Sequence, residues 1–173
     1  GASGIFSYSV VDMSLNGGSG DVTVKNAPLV NNGGDEKVTA VRHCNRKDIW
    51  VITHNLGDNA FHSYLLTNAG VSAAPVISNV GLVHNDCRGP MKASPDGKHI
   101  ASASYVEGSD LFDFDNATGV VSNAITLSSG SFEYGVSFSP NSKILYIAHV
   151  AGGIDQYDLT AANILASKTP IMS

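Results

Sequence analysis

Ser94-Pro95-Asp96-Gly97-Lys98 and Ser139-Pro140-Asn141-Ser142-Lys143 are one turn written twice, 45 residues apart. Each follows a short alternating run, Met91-Lys92-Ala93 or Val136-Ser137-Phe138. Each leads into a β-rich run, His99-Ile100-Ala101-Ser102-Ala103 or Ile144-Leu145-Tyr146-Ile147-Ala148. A degenerate third copy lies upstream: Thr39 to Cys44, a turn at Asn45-Arg46-Lys47, then Asp48-Ile49-Trp50-Val51-Ile52. This alignment sets Cys44 with Ser94 and Ser139, and makes His43 a core or interblade residue beside Ala93 and Phe138. Strand-like self-similarity at a period of 45 to 50 residues is the one-dimensional signature of a β-propeller.

The repeat extends outward. Each second strand is followed by an aromatic-bearing third strand, a polar turn and a fourth strand. The third strands are Ala60–Leu66, Leu111–Phe114 and Ile154–Leu159; the fourth are Val71–Ser78, Val120–Leu127 and Ile164–Ile171. Asn, Asp and Gly in the turns supply the positive φ that tight hairpins require. Phe6–Leu15, Asn16-Gly17-Gly18-Ser19-Gly20 and Asp21–Leu29 read as a third and fourth strand alone. The expected fold is all-β: about three and a half four-stranded blades of a larger β-propeller. The blade halves span 5–30 and the blades 38–79, 90–128 and 134–171. First and second strands lie inside the blade stack, which predicts burial of Val51, Trp50, Ile100, Phe112, Val136, Phe138 and Ile147. Propellers of four to eight blades close into a ring. The chain is therefore read as a segment of a longer one, its remaining blades coming from missing sequence or another chain; the alternative is a small domain closed by dimerisation.

Composition fits this picture. The 173 residues are 43% hydrophobic and only 14% charged, with mean hydropathy near zero, as in globular proteins that bury a core. A net charge of −5 without a Lys/Arg cluster argues against nucleic acid as a partner. No apolar run approaches the ~18 residues of a membrane span, so no membrane insertion is expected. Cys44 and Cys87 fall at opposite ends of neighbouring inner strands, roughly 20 Å apart at ~3.3 Å per residue. A disulfide needs Cα atoms within about 7 Å, so both are expected to be free.

Connections from second to third and from fourth to first strand emerge at one face. They are 54–59, 105–109 and 149–153, with 30–37, 79–90 and 128–133. The longest, 79–90, carries Gly81-Leu82-Val83-His84-Asn85-Asp86-Cys87-Arg88-Gly89-Pro90. Insertions on one face of a repeat array mark a binding face, although neutral length drift gives the same pattern. The candidate binding residues are Asn55, Asp58, His84, Asp86, Arg88, Tyr105 and Glu107. His54 and His149 share one repeat position in this alignment, and with His84 and Asp86 could suggest a metal or acid/base centre. No H-x-H, H-x-x-x-H or C-x-x-C pair ties them locally, so a structural role at the strand ends is the reading adopted. No metal or cofactor is expected. The acidic turns at 113–116 and 155–158 lack calcium-loop spacing. Asn116-Ala117-Thr118 is a glycosylation sequon. Neither a nucleophile elbow nor a phosphate loop or dinucleotide fingerprint occurs.

Ser-Pro-Asp-Gly-Lys with Asp-Leu-Phe-Asp-Phe-Asp-Asn-Ala-Thr-Gly resembles the WD-type repeats of bacterial exported propellers. With Val11-Asp12-Met13-Ser14-Leu15 and Arg42-His43-Cys44-Asn45 ahead of Ile49-Trp50-Val51-Ile52-Thr53-His54, the whole chain resembles one class in particular. That class is the N-terminal propeller of Bacteroidota surface proteins bearing gliding-motility-associated or type IX secretion sorting domains. The resemblance implies an extracellular or cell-surface location and a non-catalytic binding or scaffold role. A protein or glycan partner would meet the loop face. The alternative is a lactonase-like propeller enzyme, which shares these turns and sets acid/base or metal residues around its central channel. Fold analogy alone does not decide between them.

Overall fold

The computed structural model describes residues 4–130 and 132–172. Fourteen strands form three sheets: β1 Gly4–Asp12, β2 Asp21–Arg42, β3 Ile49–Asn55, β4 Ala60–Thr67, β5 Gly70–Val71, β6 Val76–Asn79, β7 Met91–Ala93, β8 His99–Ser104, β9 Gly108–Asp115, β10 Val120–Ser129, β11 Glu133–Phe138, β12 Ile144–His149, β13 Ile154–Asp158 and β14 Thr169–Met172. All neighbouring strands pair antiparallel. Two sheets are four-stranded meanders, β7 to β10 (blade 2) and β11 to β14 (blade 3). The third joins the N-terminal half-blade to blade 1 in the order β1-β2-β3-β4, with β5 and β6 both on β4. The expected partial propeller is present. Among the described residues no helix is long and apolar enough to cross a membrane.

The repeated turn is one geometry. Ser94 and Ser139 each pair backbone to backbone with the residue five positions on, His99 and Ile144. Their hydroxyls also accept that residue's N–H at 2.9 Å. The third copy aligns one residue earlier than the sequence suggests. His43, not Cys44, is the first turn residue, its N–H bonded to Asp48 O at 2.9 Å. Asn45 Oδ1 then accepts the Lys47 and Asp48 N–H groups, as Asp96 does for Lys98. His43 is therefore a half-buried turn residue, its ring 5.8 Å from that of Trp50, and not a residue of the apolar layer.

Two apolar layers hold the blades together. Val41, Trp50, Ile52 and Phe61 of blade 1 meet Met91, Ile100, Phe112, Phe114 and Val121 of blade 2. On the other side Ala101, Ala103, Leu111 and Leu127 meet Val136, Leu145, Ile147 and Tyr157 of blade 3. Strand alternation makes this possible, since Ile100 and Ala101 point to opposite neighbours. Each fully buried Ile, Leu or Phe stabilises the stack by about 1.5–3 kcal/mol. Of the seven predicted core residues, Val51 and Phe138 are half-buried and the other five are buried. Trp50 also donates its indole N–H to Asn116 O at 3.0 Å, and a Cβ at Gly119 would sit 2.8 Å from its ring. Only glycine fits there, because φ is +79° as well.

Three strand boundaries differ from expectation. The segment 30–37 is no loop: β2 runs unbroken through it, pairing first with β1 and then with β3. A register shift between Gly34 and Val38 bends it from one blade into the next. The fourth strand of blade 1 breaks at 72–75 into β5 and β6, where Pro75 lacks a donor. In blade 3 a 3₁₀ turn at Leu165–Ser167 takes the place of the early part of the fourth strand. Cys44 and Cys87 are free. The outer strands leave Val10, Val11, Val22, Val24 and Ile171 exposed.

Candidate functional site

The loop face carries a cleft of about 620 Å³ between blades 2 and 3, lined by Arg88, Tyr105, Tyr134, Gly135, Ala148, His149 and Val150. The 79–90 loop delivers Arg88 to it. Asp86 grips the guanidinium through Nε at 2.8 Å and through Nη2, and also accepts the Arg88 backbone N–H at 2.9 Å. This fork holds the Asp86 carboxyl well below the usual carboxylate range. Arg88 Cζ lies 4.0 Å over the Tyr105 ring, which meets Phe132 edge-on at 5.2 Å. Cation–π stacking fixes the guanidinium plane while three of its five N–H groups remain beyond those taken by Asp86.

The other wall is titratable. β12 ends at His149, and Glu133 at the start of β11 stands across the strand pair from it. His149 Nε2 is 2.7 Å from Asp155 Oδ2, on which Lys168 Nζ also closes at 2.7 Å. Glu133 Oε1 lies 3.9 Å from His149 Nδ1, and its Oε2 accepts the Ser128 and Ser109 hydroxyls. Burial raises the Asp155 carboxyl, but Lys168 and His149 outweigh it and hold it below the usual range. The His149 side chain is 18% exposed, so a group flanked by two carboxylates opens on the cleft.

Only part of the predicted face is a face. Arg88 and Tyr105 line the cleft, with Asp86 fixed to Arg88. Asn55 and Asp58 bond each other at 3.3 Å, and Asp58 also accepts the Ala60 N–H, closing their own turn. Glu107 is a loop clamp: it accepts the Asn85 N–H at 3.0 Å and the Ser104 hydroxyl. His84 is corrected outright. It is 1% exposed and points inward, because its N–H and C=O bond to Asp58 O and Gly57 N and dock the loop on blade 1. There it stacks on His54 with ring centroids 4.1 Å apart, far from any surface partner.

His54 and His149 do not share a repeat position. The one-residue offset at His43 carries through the strand and turns them to opposite faces. His54 continues Trp50 and Ile52 towards blade 2, whereas His149 continues Leu145 and Ile147 towards the same blade from its other side. Sequence reasoning left out Glu133, Tyr134, Asp155 and Lys168. They come from β11, β13 and the segment before β14, with no local motif. The one available signal was the carboxylate six residues after a strand-end histidine.

No protein-family model and no curated protein matches the chain. Solved structures do share its fold. A protein from Lactobacillus plantarum has a TM-score of 0.62 at 14% identity, over 94% of this chain and 49% of its own. A "putative 6-phosphogluconolactonase" from Bacteroides fragilis has a TM-score of 0.54 at 17% identity, over 85% of this chain and 39% of its own. The dihydro-heme d1 dehydrogenase NirN has a TM-score of 0.59 at 12% identity, over 96% of this chain and 34% of its own. The chain thus spans less than half the length of each, and at these identities the likeness shows the β-propeller fold. The expectation of a non-catalytic binding or scaffold module is corrected here, because two of these three propellers, the Bacteroides fragilis protein and NirN, bear enzyme names.

Proposed function

We propose that the chain belongs to a lactonase-like propeller hydrolase that opens a cyclic ester in the cleft between blades 2 and 3. The observation that carries this reading is the His149–Asp155 pair opening beside Arg88. An Nε2–H donated to Asp155 at 2.7 Å fixes the tautomer and leaves the Nδ1 lone pair as the base. Water gives its proton to Nδ1 as its oxygen attacks the lactone carbonyl. The tetrahedral adduct then collapses, the ring C–O bond breaks, and the imidazolium returns the proton to the departing alkoxide. Asp155 and Glu133 stabilise the imidazolium between those steps. Arg88 meets a carboxylate or phosphate on the substrate, and Tyr105 and Tyr134 offer flat apolar surfaces to its ring.

The purified protein assayed against neutral, carboxylate-bearing and phosphate-bearing lactones is the test. Turnover should favour the anionic substrates, and Arg88→Met should raise their KM while leaving the neutral ones unchanged. Absence of turnover across all three classes would end this reading.

A further inference from the structure

Behind the 79–90 loop, buried polar groups meet with too few hydrogen-bond partners among them. Asp35, Lys37, His54 and His84 are all buried, none more than 6% exposed. Lys37 Nζ donates to Asp35 Oδ2 at 3.0 Å and to Cys87 O at 3.3 Å. His54 Nδ1 and His84 Nδ1 face the same Asp35 oxygen at 3.9 and 3.7 Å, too far for hydrogen bonds. Those two nitrogens and His54 Nε2 have no hydrogen-bond partner. Buried polar atoms in native proteins are almost always satisfied, so two unpartnered imidazole nitrogens facing one carboxylate oxygen point to an occupant.

We propose that Asp35, His54 and His84 bind one zinc-class divalent cation that pins the 79–90 loop to blade 1. Their ligand atoms all lie within 4.8 Å of one another. A point equidistant from three atoms so spaced is roughly 2.1–2.8 Å from each, against about 2.0–2.2 Å for zinc with nitrogen or oxygen ligands. A contraction of a few tenths of an ångström brings these three ligands into range, and a bound water would take the fourth tetrahedral position. The ligands come from β2, β3 and the loop, so the ion would join three separate segments. The pocket is sealed, which fits a structural ion, since catalytic zinc keeps a position open to substrate. Lys37 bonds the ligating carboxylate and repels the incoming charge, so affinity falls below that of thiolate-rich sites. A buried water is the competing occupant. It would satisfy the imidazoles without adding charge.

Chelator-stripped protein titrated with zinc chloride, followed by calorimetry and by thermal melting, separates the two. The expected result is one zinc per chain and a Tm that rises with zinc. His54→Gln and His84→Gln should each weaken binding at least tenfold, while His99→Gln, at the Asp113 pair, leaves it unchanged. If either variant does not fold, the imidazole nitrogen resonances of the unsubstituted protein decide: His54 and His84 must shift on adding cadmium. No saturable binding, binding indifferent to both substitutions, or unmoved imidazole resonances would each overturn the proposal.

Discussion

His54 and His149 each lie at the loop end of a blade's second strand, Asp35 and Glu133 stand near them on the first strands, and there the likeness ends. In blade 1 the long 79–90 loop folds over the pair and presses His84 on His54, leaving His54 1% exposed. In blade 3 the turn at 149–153 leaves His149 with 18% of its side chain in the cleft. The charges differ too. Asp35 is balanced by buried Lys37, whereas Asp155 is balanced by Lys168 with 41% of its side chain exposed. A sealed imidazole can pack or ligate; one at a cleft wall can exchange a proton with a substrate. The docked 79–90 loop and a one-residue offset, rather than residue type, separate the two histidines here.

The largest test of that contrast removes each lysine. In chelator-stripped protein Lys37→Met should destabilise by about 3–5 kcal/mol, because it strands the Asp35 charge in the interior. Lys168→Met should cost about 0–1 kcal/mol, since its pair is partly solvated. Equal melting shifts for the two variants would break the comparison.

A smaller effect concerns the glycines of the two coverings. At Gly89 φ is +117° and a Cβ would lie 2.2 Å from Ala103 O, so Gly89→Ala should cost about 2–3 kcal/mol and loosen the sealing loop. At Gly152, beside the open pair, φ is +100° with nothing within 4 Å, so Gly152→Ala should cost about 1 kcal/mol from strain alone. Denaturant midpoints of the two variants order these costs.

The smallest is a pH effect at the open pair. Asp155 has a folded-state pKa below its unfolded value, so the unfolded chain binds more protons in acid. Its contribution is fully present above the ordinary carboxylate range and is lost as pH falls through the lowered value. Asp155→Asn should therefore flatten the fall in stability on that acid side, measured by denaturant melts at stepped pH.

The architecture was legible because each level repeated the same message. Ser-Pro-Asp-Gly-Lys and its partner set the hairpins, and the alternation in Ile100-Ala101 and Leu145-Ile147 set the apolar layers. The third copy was misread by one residue because His43 and Asn45 do by side chain what serine and aspartate do elsewhere. That single slip put His54 and His149 in one class when they face opposite ways. The 79–90 loop stood out by its length, and Arg88 and Tyr105 with it, but nothing in its composition says that His84 turns inward. Glu133 and Lys168 were invisible for a plainer reason: strand pairing within blade 3 brings them to His149 and Asp155, and a linear pattern does not record that.

The measurement that bears most directly on the account is kcat/KM for an anionic lactone with His149→Ala beside the unsubstituted protein, each checked by thermal melting. A base at His149 predicts a fall of about 10²–10⁴ with an almost unchanged Tm. Equal kcat/KM in the two proteins would contradict the assignment of chemistry to the open pair.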